Sequence, residues 1–228
     1  MNNFKITLQS NQYLDRVESL WRKNASTLGF FTKGAFREYS SKKQIIVAIN
    51  GLGELAGYLL FRLSNNIATI VHLCINNKHR GHGLPKRLID TLKENVAETR
   101  GIFLKCRRDY NLSDFWSKLG FVYRTEVVGR GKDSAILSCW WMELDNPNLF
   151  STVENEFKNN KMCVVIDANV FYGIYSDERD DEEAKSLVAD WLPDNIELCL
   201  TDEILNEIQR NDNKEERLHS LKLTNSYT

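Results

Sequence analysis

Residues 67–75, Ile-Ala-Thr-Ile-Val-His-Leu-Cys-Ile, constrain the fold more than any other stretch. They are apolar on both faces of an extended chain, as expected of a central strand buried on both sides. The segment after them reads NNKHRGHGLPKRLID (76–90). Two glycines bracket His82, and Leu84, Leu88, Ile89, Leu92 and Val96 then recur at helical spacing. Pro85 fits the first turn of that helix, where its missing N–H is tolerated. GIFLKC (101–106) is a further buried strand.

A glycine turn between a buried strand and a helix has a chemical use. A helix start carries unpaired N–H groups and the positive end of the dipole. Glycines let that backbone approach an anion, so the context suits a phosphate. Lys78, Arg80, Lys86 and Arg87 add positive charge nearby.

The flanking chain supplies the rest of a domain. FKITLQS (4–10) alternates as a strand, and 14–24 places Leu14, Val17, Leu20 and Trp21 on one helical face. Residues 32–43 read as a polar helix, and 44–50 with 55–63 as a hairpin around GLGE. Residues 111–121 form a short helix stopped by Gly120, which suits a left-handed cap. Strands follow at 122–128 and 134–144.

The bulk properties exclude little. Apolar residues make up 42% of the 228, which is enough for a sizeable core. A net charge of -1 advertises neither nucleic acid nor an acidic membrane. No segment has the length and apolarity of a membrane span or a signal peptide, so a cytoplasmic location and no membrane partner are expected. The five cysteines are widely spaced, lack a C-x-x-C pair and sit in apolar runs, which reads as reduced, buried thiols.

The polar stretch 145–161 marks a boundary: a first domain at 1–146, a linker at 147–160 and a second segment at 161–228. In that segment MCVVID (162–167), an acidic helix, IELCL (196–200) and TDEILNEIQRN follow one another as strand, helix, strand, helix. This is the start of a parallel α/β sheet, and no third strand follows. Asp167 stands at a strand end and acids recur at the start of the next helix, and carboxylates converging at strand ends can hold Mg²⁺ for phosphodiester hydrolysis.

Arg80-Gly81-His82-Gly83-Leu84-Pro85 resembles the pyrophosphate loop of the GNAT N-acetyltransferase superfamily, and FWSKLGF (115–121) resembles that family's late helix motif. The order of elements over residues 1 to about 145 is also similar. The resemblance implies an α/β (α+β) fold with a mixed central sheet flanked by helices, and direct transfer of acetyl from acetyl-CoA to a primary amine. It implies main-chain contacts from Leu73, Cys74 and Ile75 to the pantetheine and acetyl carbonyl, and from Arg80, Gly81, His82, Gly83 and Leu84 to the pyrophosphate. Asp109 stands where the family often has a pantetheine-binding asparagine. Trp116 replaces a common tyrosine, the usual acid for the thiolate, so Tyr110 and Tyr123 are candidate substitutes. His72 is the candidate base, an imidazole suited to deprotonating an amine. Pro85 removes one donor from the loop.

Residues 161–228 resemble the first half of a PIN-type nuclease, with Asp167 and Glu207 matching its first acids. That likeness implies Mg²⁺, an RNA partner and a toxin-like role, and it gives an alternative reading: a nuclease with a regulatory or non-catalytic CoA-binding module. The acceptor (a small molecule, a protein or an aminoacyl-tRNA) and the oligomeric state stay open at this level.

Overall fold

The computed structural model describes residues 4–8, 11–129, 134–144, 162–175, 181–188 and 196–224. They fall into two compact units, the second beginning after residue 148. The expected linker, 147–160, lies outside the described residues.

The first unit is built on seven strands: β1 (Lys5–Leu8), β2 (Ile45–Ile49), β3 (Leu55–Ser64), β4 (Ile67–Ile75), β5 (Gly101–Arg107), β6 (Val122–Val128) and β7 (Ile136–Glu143). Their order across the sheet is β1-β2-β3-β4-β5-β7-β6. All neighbours are antiparallel except β4 and β5. A parallel pair needs a crossover, and helix α4 (Leu84–Asn95) supplies it. Leu84, Leu88, Ile89 and Leu92 of α4 are buried on the sheet with Ile46, Ala48, Ala56, Ile70, Ile102 and Leu104. Helix α5 (Ser113–Lys118) adds Trp116 to the same layer. It ends at Gly120, whose φ of 94° is the left-handed cap expected there.

Helices α1 (Leu14–Arg22), α2 (Ala25–Leu28) and α3 (Lys33–Ser41) precede the hairpin. Val17 and Leu20 of α1 are buried, and Thr32 caps α3 by accepting from the Ala35 N–H at 3.1 Å. Phe31, Phe36 and Tyr39 form an aromatic layer over His72, a side chain that does not belong to the α4 layer.

One irregularity shapes β4. The β3–β4 register shifts between Leu60 and Phe61, so Val71 has no partner. Ala68 and Ile70 before the shift pack with α4, and so do Leu73 and Ile75 after it. The alternation has therefore changed phase, and His72 faces the aromatic layer. The strand is less enclosed than its apolar run predicts: Val71, Leu73 and Ile75 are only half-buried.

The described residues of the second unit include two strands, β8 (Met162–Val165) and β9 (Ile196–Cys199), paired in parallel as expected. Its helices are α6 (Ala168–Tyr175), α7 (Glu182–Ser186), α8 (Asp202–Gln209) and α9 (Lys214–Thr224). Phe171, Ile174, Leu198, Ile204 and Ile208 make its core. Helix α6 was not legible: its run Ala-Asn-Val-Phe-Tyr-Gly-Ile-Tyr looks like a continuation of the strand.

The expectation of five reduced thiols fails here. Cys74, Cys106 and Cys139 are outside any disulfide, but Cys163 and Cys199 form one, with their Cα atoms 5.9 Å apart. The parallel register sets Cys199 beside Val165 and Cys163 beside Glu197, which brings the two cysteines onto one face.

Candidate functional site

The β4–β5 pairing is short. It runs from Ile67↔Gly101 to Ile70↔Leu104 and stops, although β4 continues to Ile75 and β5 to Arg107. β4 stays paired to β3 up to Ile75, and β5 stays paired to β7 up to Arg107. Beyond Leu104 the sheet therefore opens as a wedge between two supported strands. In a strand, alternate residues aim their N–H and C=O groups to opposite sides. Between Val71 and Ile75, those aimed away from β3 face the gap. By that alternation Leu73 and Ile75 aim to one side and Cys74 to the other, so the three do not all present main-chain groups to the gap.

The glycine turn sits at the outer end of β4. Gly81 has φ 82° and Gly83 φ 67°, a left-handed region in which other residues are strained. A Cβ on either would meet nothing within 4 Å, so the turn faces open space. Gly83 caps α4, accepting at its carbonyl from the Arg87 N–H at 3.3 Å. The next N–H groups lie in the helix's first turn, which leaves them without intrahelical partners, and Pro85 has none to offer. Arg80, Gly81, His82 and Gly83 are exposed and Leu84 is buried. The turn is tied to the start of the chain. His79 and His82 stack on Phe4 with centroids at 5.6 Å, and Arg87 Nη2 donates to the Phe4 carbonyl at 2.7 Å. An exposed, cation-flanked helix start is backbone suited to an anion.

The other expected residues are placed as follows. His72 is 3% exposed. Its Nδ1 lies 3.2 Å from the Tyr58 hydroxyl, and the ring also bonds the main chain of Leu28. Phe31 stacks on it at 4.7 Å. Burial drives its pKa down to about 3, only partly offset by the Leu28 bond. Tyr58 is pushed up by its own burial, and Cys74 is pushed up to about 11 by burial, against the pull of the Arg80 guanidinium.

Asp109 is exposed, and its carboxylate accepts from Arg107 Nε at 3.1 Å and Nη2 at 2.7 Å. Those bonds hold its pKa below the usual carboxylate range. Tyr110 follows β5. Its hydroxyl reaches the Ser26 carbonyl at 3.5 Å, and Arg107 lies over its ring. Tyr123 is on β6, 48% exposed and stacked edge-on to Trp140 at 5.7 Å. β7 separates that strand from the wedge. The structure therefore brings Trp116, Cys106, Leu73 and the glycine turn to one side of the gap and His72 to the other, and leaves Tyr123 apart. Cys106 escaped the sequence reading. Its position as the second residue past Leu104 became meaningful only once the end of the pairing was known.

In the second unit Asp167 Oδ1 accepts from the Val170 N–H at 2.8 Å, which makes it the cap of α6. Glu207 is exposed on α8. Among the described residues no group of three or more His, Cys, Asp or Glu is placed to hold a metal ion, so the expected Mg²⁺ site gains no support. No helix among the described residues is long and apolar enough to cross a membrane.

Residues 22–131 match the family model described as acetyltransferase (GNAT) domain. No curated protein matches the sequence. Among solved structures, the fold is similar to Ard1 from Thermoplasma volcanium (16% identity, TM-score 0.56), with 62% of this chain and 97% of that one covered. It is also similar to NAA60 from Arabidopsis thaliana in complex with a bisubstrate analogue (14% identity, TM-score 0.55, 64% and 100% covered). A third is the ribosomal-protein-S18-alanine N-acetyltransferase from Escherichia coli (12% identity, TM-score 0.54, 66% and 99% covered). At these identities the likeness is one of fold. The family match ends at residue 131, and the nuclease resemblance of residues 161–228 receives no support. A mixed sheet, a parallel pair that opens and a glycine turn at its mouth thus accompany the similarity of residues 22–131 to the acetyltransferase (GNAT) domain model.

Proposed function

We propose that the first unit transfers an acetyl group from acetyl-CoA directly to a primary amine, with the cofactor held in the wedge between β4 and β5. The observation that carries this is the end of the parallel pairing at Ile70↔Leu104 beside the turn at Gly81 and Gly83.

The N–H groups from Arg80 to Leu84 bind the pyrophosphate. Those main-chain groups of the 73–75 stretch that face the gap bind the pantetheine arm and polarise the acetyl carbonyl. Asp109 holds Arg107 in place and reaches the arm only through it. Bound acetyl-CoA supplies an activated acyl group whose thiol has a pKa of about 8.5, a fair leaving group. The amine nitrogen forms the new C–N bond as the C–S bond breaks, and the amine proton passes to solvent.

His72 is a positioning residue in this reading. A buried imidazole that stays neutral down to about pH 3 takes up protons poorly at neutral pH. It ties the Leu28 segment to β4, on the sheet face opposite α4. With His72 held neutral, the acceptor gives its proton to solvent in this reading. An α-amine, with a pKa of about 7.7–8.0, does so far more readily than a lysine at about 10.4.

The test is calorimetry with acetyl-CoA on the parent protein and on Gly83→Asn and Gly83→Asp. Asn and Asp both tolerate left-handed backbone, so the pair isolates charge. The parent and the Asn variant bind, and the Asp variant binds at least tenfold more weakly, because its carboxylate faces the pyrophosphate. CoA release is then followed with a peptide bearing a free N-terminus and with an N-blocked lysine peptide. No binding by the parent would sink the reading.

A further inference from the structure

The sheet of the first unit ends in two unlike edges. β1 is four residues long and begins with Lys5, the short, charged kind of edge that resists further pairing. β6 is seven residues long, pairs with β7 on one side, and has no strand on its other side among the described residues. All of its residues but Val127 are exposed, Val122 by 56% and Val128 by 64%. A long exposed edge presents unpaired backbone groups and takes up another strand.

Edges are commonly protected by charges and bulges. β6 has both: its register against β7 shifts between Tyr123 and Thr125, and Arg124 and Glu126 flank Thr125. The two charges are of opposite sign, so they select one strand and refuse others. By their spacing they share a face of the strand. Glu126 Oε2 accepts from Arg108 Nη1 at 3.0 Å, which holds the carboxylate in place, and its two oxygens have room for a further donor.

Consider β6 lying antiparallel to the β6 of a second copy, related by a two-fold axis perpendicular to the sheet. Residues directly opposite share a face, so the axis passes through a residue. An axis at Thr125 sets Arg124 of each copy opposite Glu126 of the other. It also brings the exposed Val122 and Tyr123 of one copy beside Val127 and Val128 of the other. An axis one residue earlier sets Arg124 against Arg124, and one residue later sets Glu126 against Glu126. Opposite charges across a strand pair stabilise it and like charges destabilise it, so one register is selected.

We propose that β6 is an interface between two copies of this chain, an antiparallel pairing centred on Thr125 and held in register by two Arg124–Glu126 ion pairs. The contact is isologous, with the same patch on both copies, and it makes one sheet continuous through the pair. A single strand pair buries little area, so the dimer is weak and concentration-dependent. A strand of another protein would also satisfy the backbone, but a second copy matches the symmetric placement of charge about Thr125.

The test is sedimentation velocity at rising concentration, up to roughly 1 mM, the weak end of association. The parent passes from monomer to dimer, and added salt weakens the dimer. Arg124→Glu and Glu126→Arg each turn both ion pairs into like-charge pairs and raise the dissociation constant roughly tenfold or more. Mixing the two variants restores the dimer, because the acidic side chain introduced at 124 then faces the basic one introduced at 126. A parent that stays monomeric throughout overturns the inference. So does a dimer that either single variant leaves unchanged, or a pair of folded variants that mixing does not rescue. Amide hydrogen exchange on the parent, dilute against concentrated, needs no variant. Protection gained at 122–128 supports the interface, and protection gained only elsewhere overturns it.

Discussion

The hydroxyl of Tyr58 lies 3.2 Å from Nδ1 of His72, and both side chains are buried beneath Phe31 and Phe36. A neutral ring satisfies this arrangement, and a proton on it does not. The folded pKa of about 3 is below the unfolded value of about 6.5. The unfolded chain therefore binds more protons across that window, and stability rises with pH through it. The stability is complete above about pH 6.5 and is lost as pH falls toward 3. Urea unfolding at a series of pH values should show this slope in the parent and a flatter one in His72→Gln. The variant also loses about 1–3 kcal/mol at neutral pH by leaving Tyr58 and Leu28 less well paired.

The same variant tests the chemistry. A true general base is worth roughly 10²–10⁴ in rate. Folded His72→Gln should lose less than that in kcat, and the pH–rate curve should follow the pKa of the amine. A hundredfold loss in a protein of parental stability would restore His72 as the base.

Gly101 opens β5 at a place where no side chain fits. A Cβ there would overlap the indole of Trp141 and lie 2.6 Å from the Met142 carbonyl. Gly101→Ala should cost about 1–3 kcal/mol by overpacking, seen as a lower Tm in thermal unfolding.

The Cys163–Cys199 disulfide predicts a labelling pattern. Under denaturing but non-reducing conditions, alkylation should add three groups, at Cys74, Cys106 and Cys139. All five should react after reduction, as read by peptide mass spectrometry. Removing the cross-link should lower the stability of the second unit by roughly 2–4 kcal/mol.

Asp167 is a helix cap first. Asp167→Ala should destabilise the second unit by about 1 kcal/mol. Adding Mg²⁺ to the parent should leave its Tm unchanged, and a rise that Asp167→Ala abolishes would revive the metal reading.

Much of the first unit was legible because its signals are local. Apolar runs and helical spacing placed β4, β5 and α4, and glycine chemistry placed the caps at Gly83 and Gly120. The glycine turn pointed to a phosphate because both of its requirements, a helix start and left-handed backbone, are written in consecutive residues. The second unit was harder. Its parallel pair was foreseen, but β-branched and aromatic residues hid α6, whose cap and packing override weak helix propensity.

The sequence by itself determined the strands of the first unit and the crossover helix α4, and that a glycine turn opens that helix. Only the tertiary structure decided what faces what. The register shift at Leu60/Phe61 reverses the alternation of β4, so His72 points at Phe31 and not at α4. The parting of β4 from β5 after Leu104 puts Cys106 on a stretch of β5 that has left β4. The β8–β9 register brings Cys163 to Cys199 across a sequence separation of 36. Each depends on pairing between distant strands, whose register comes from the packing of the whole sheet and leaves no mark in any one segment.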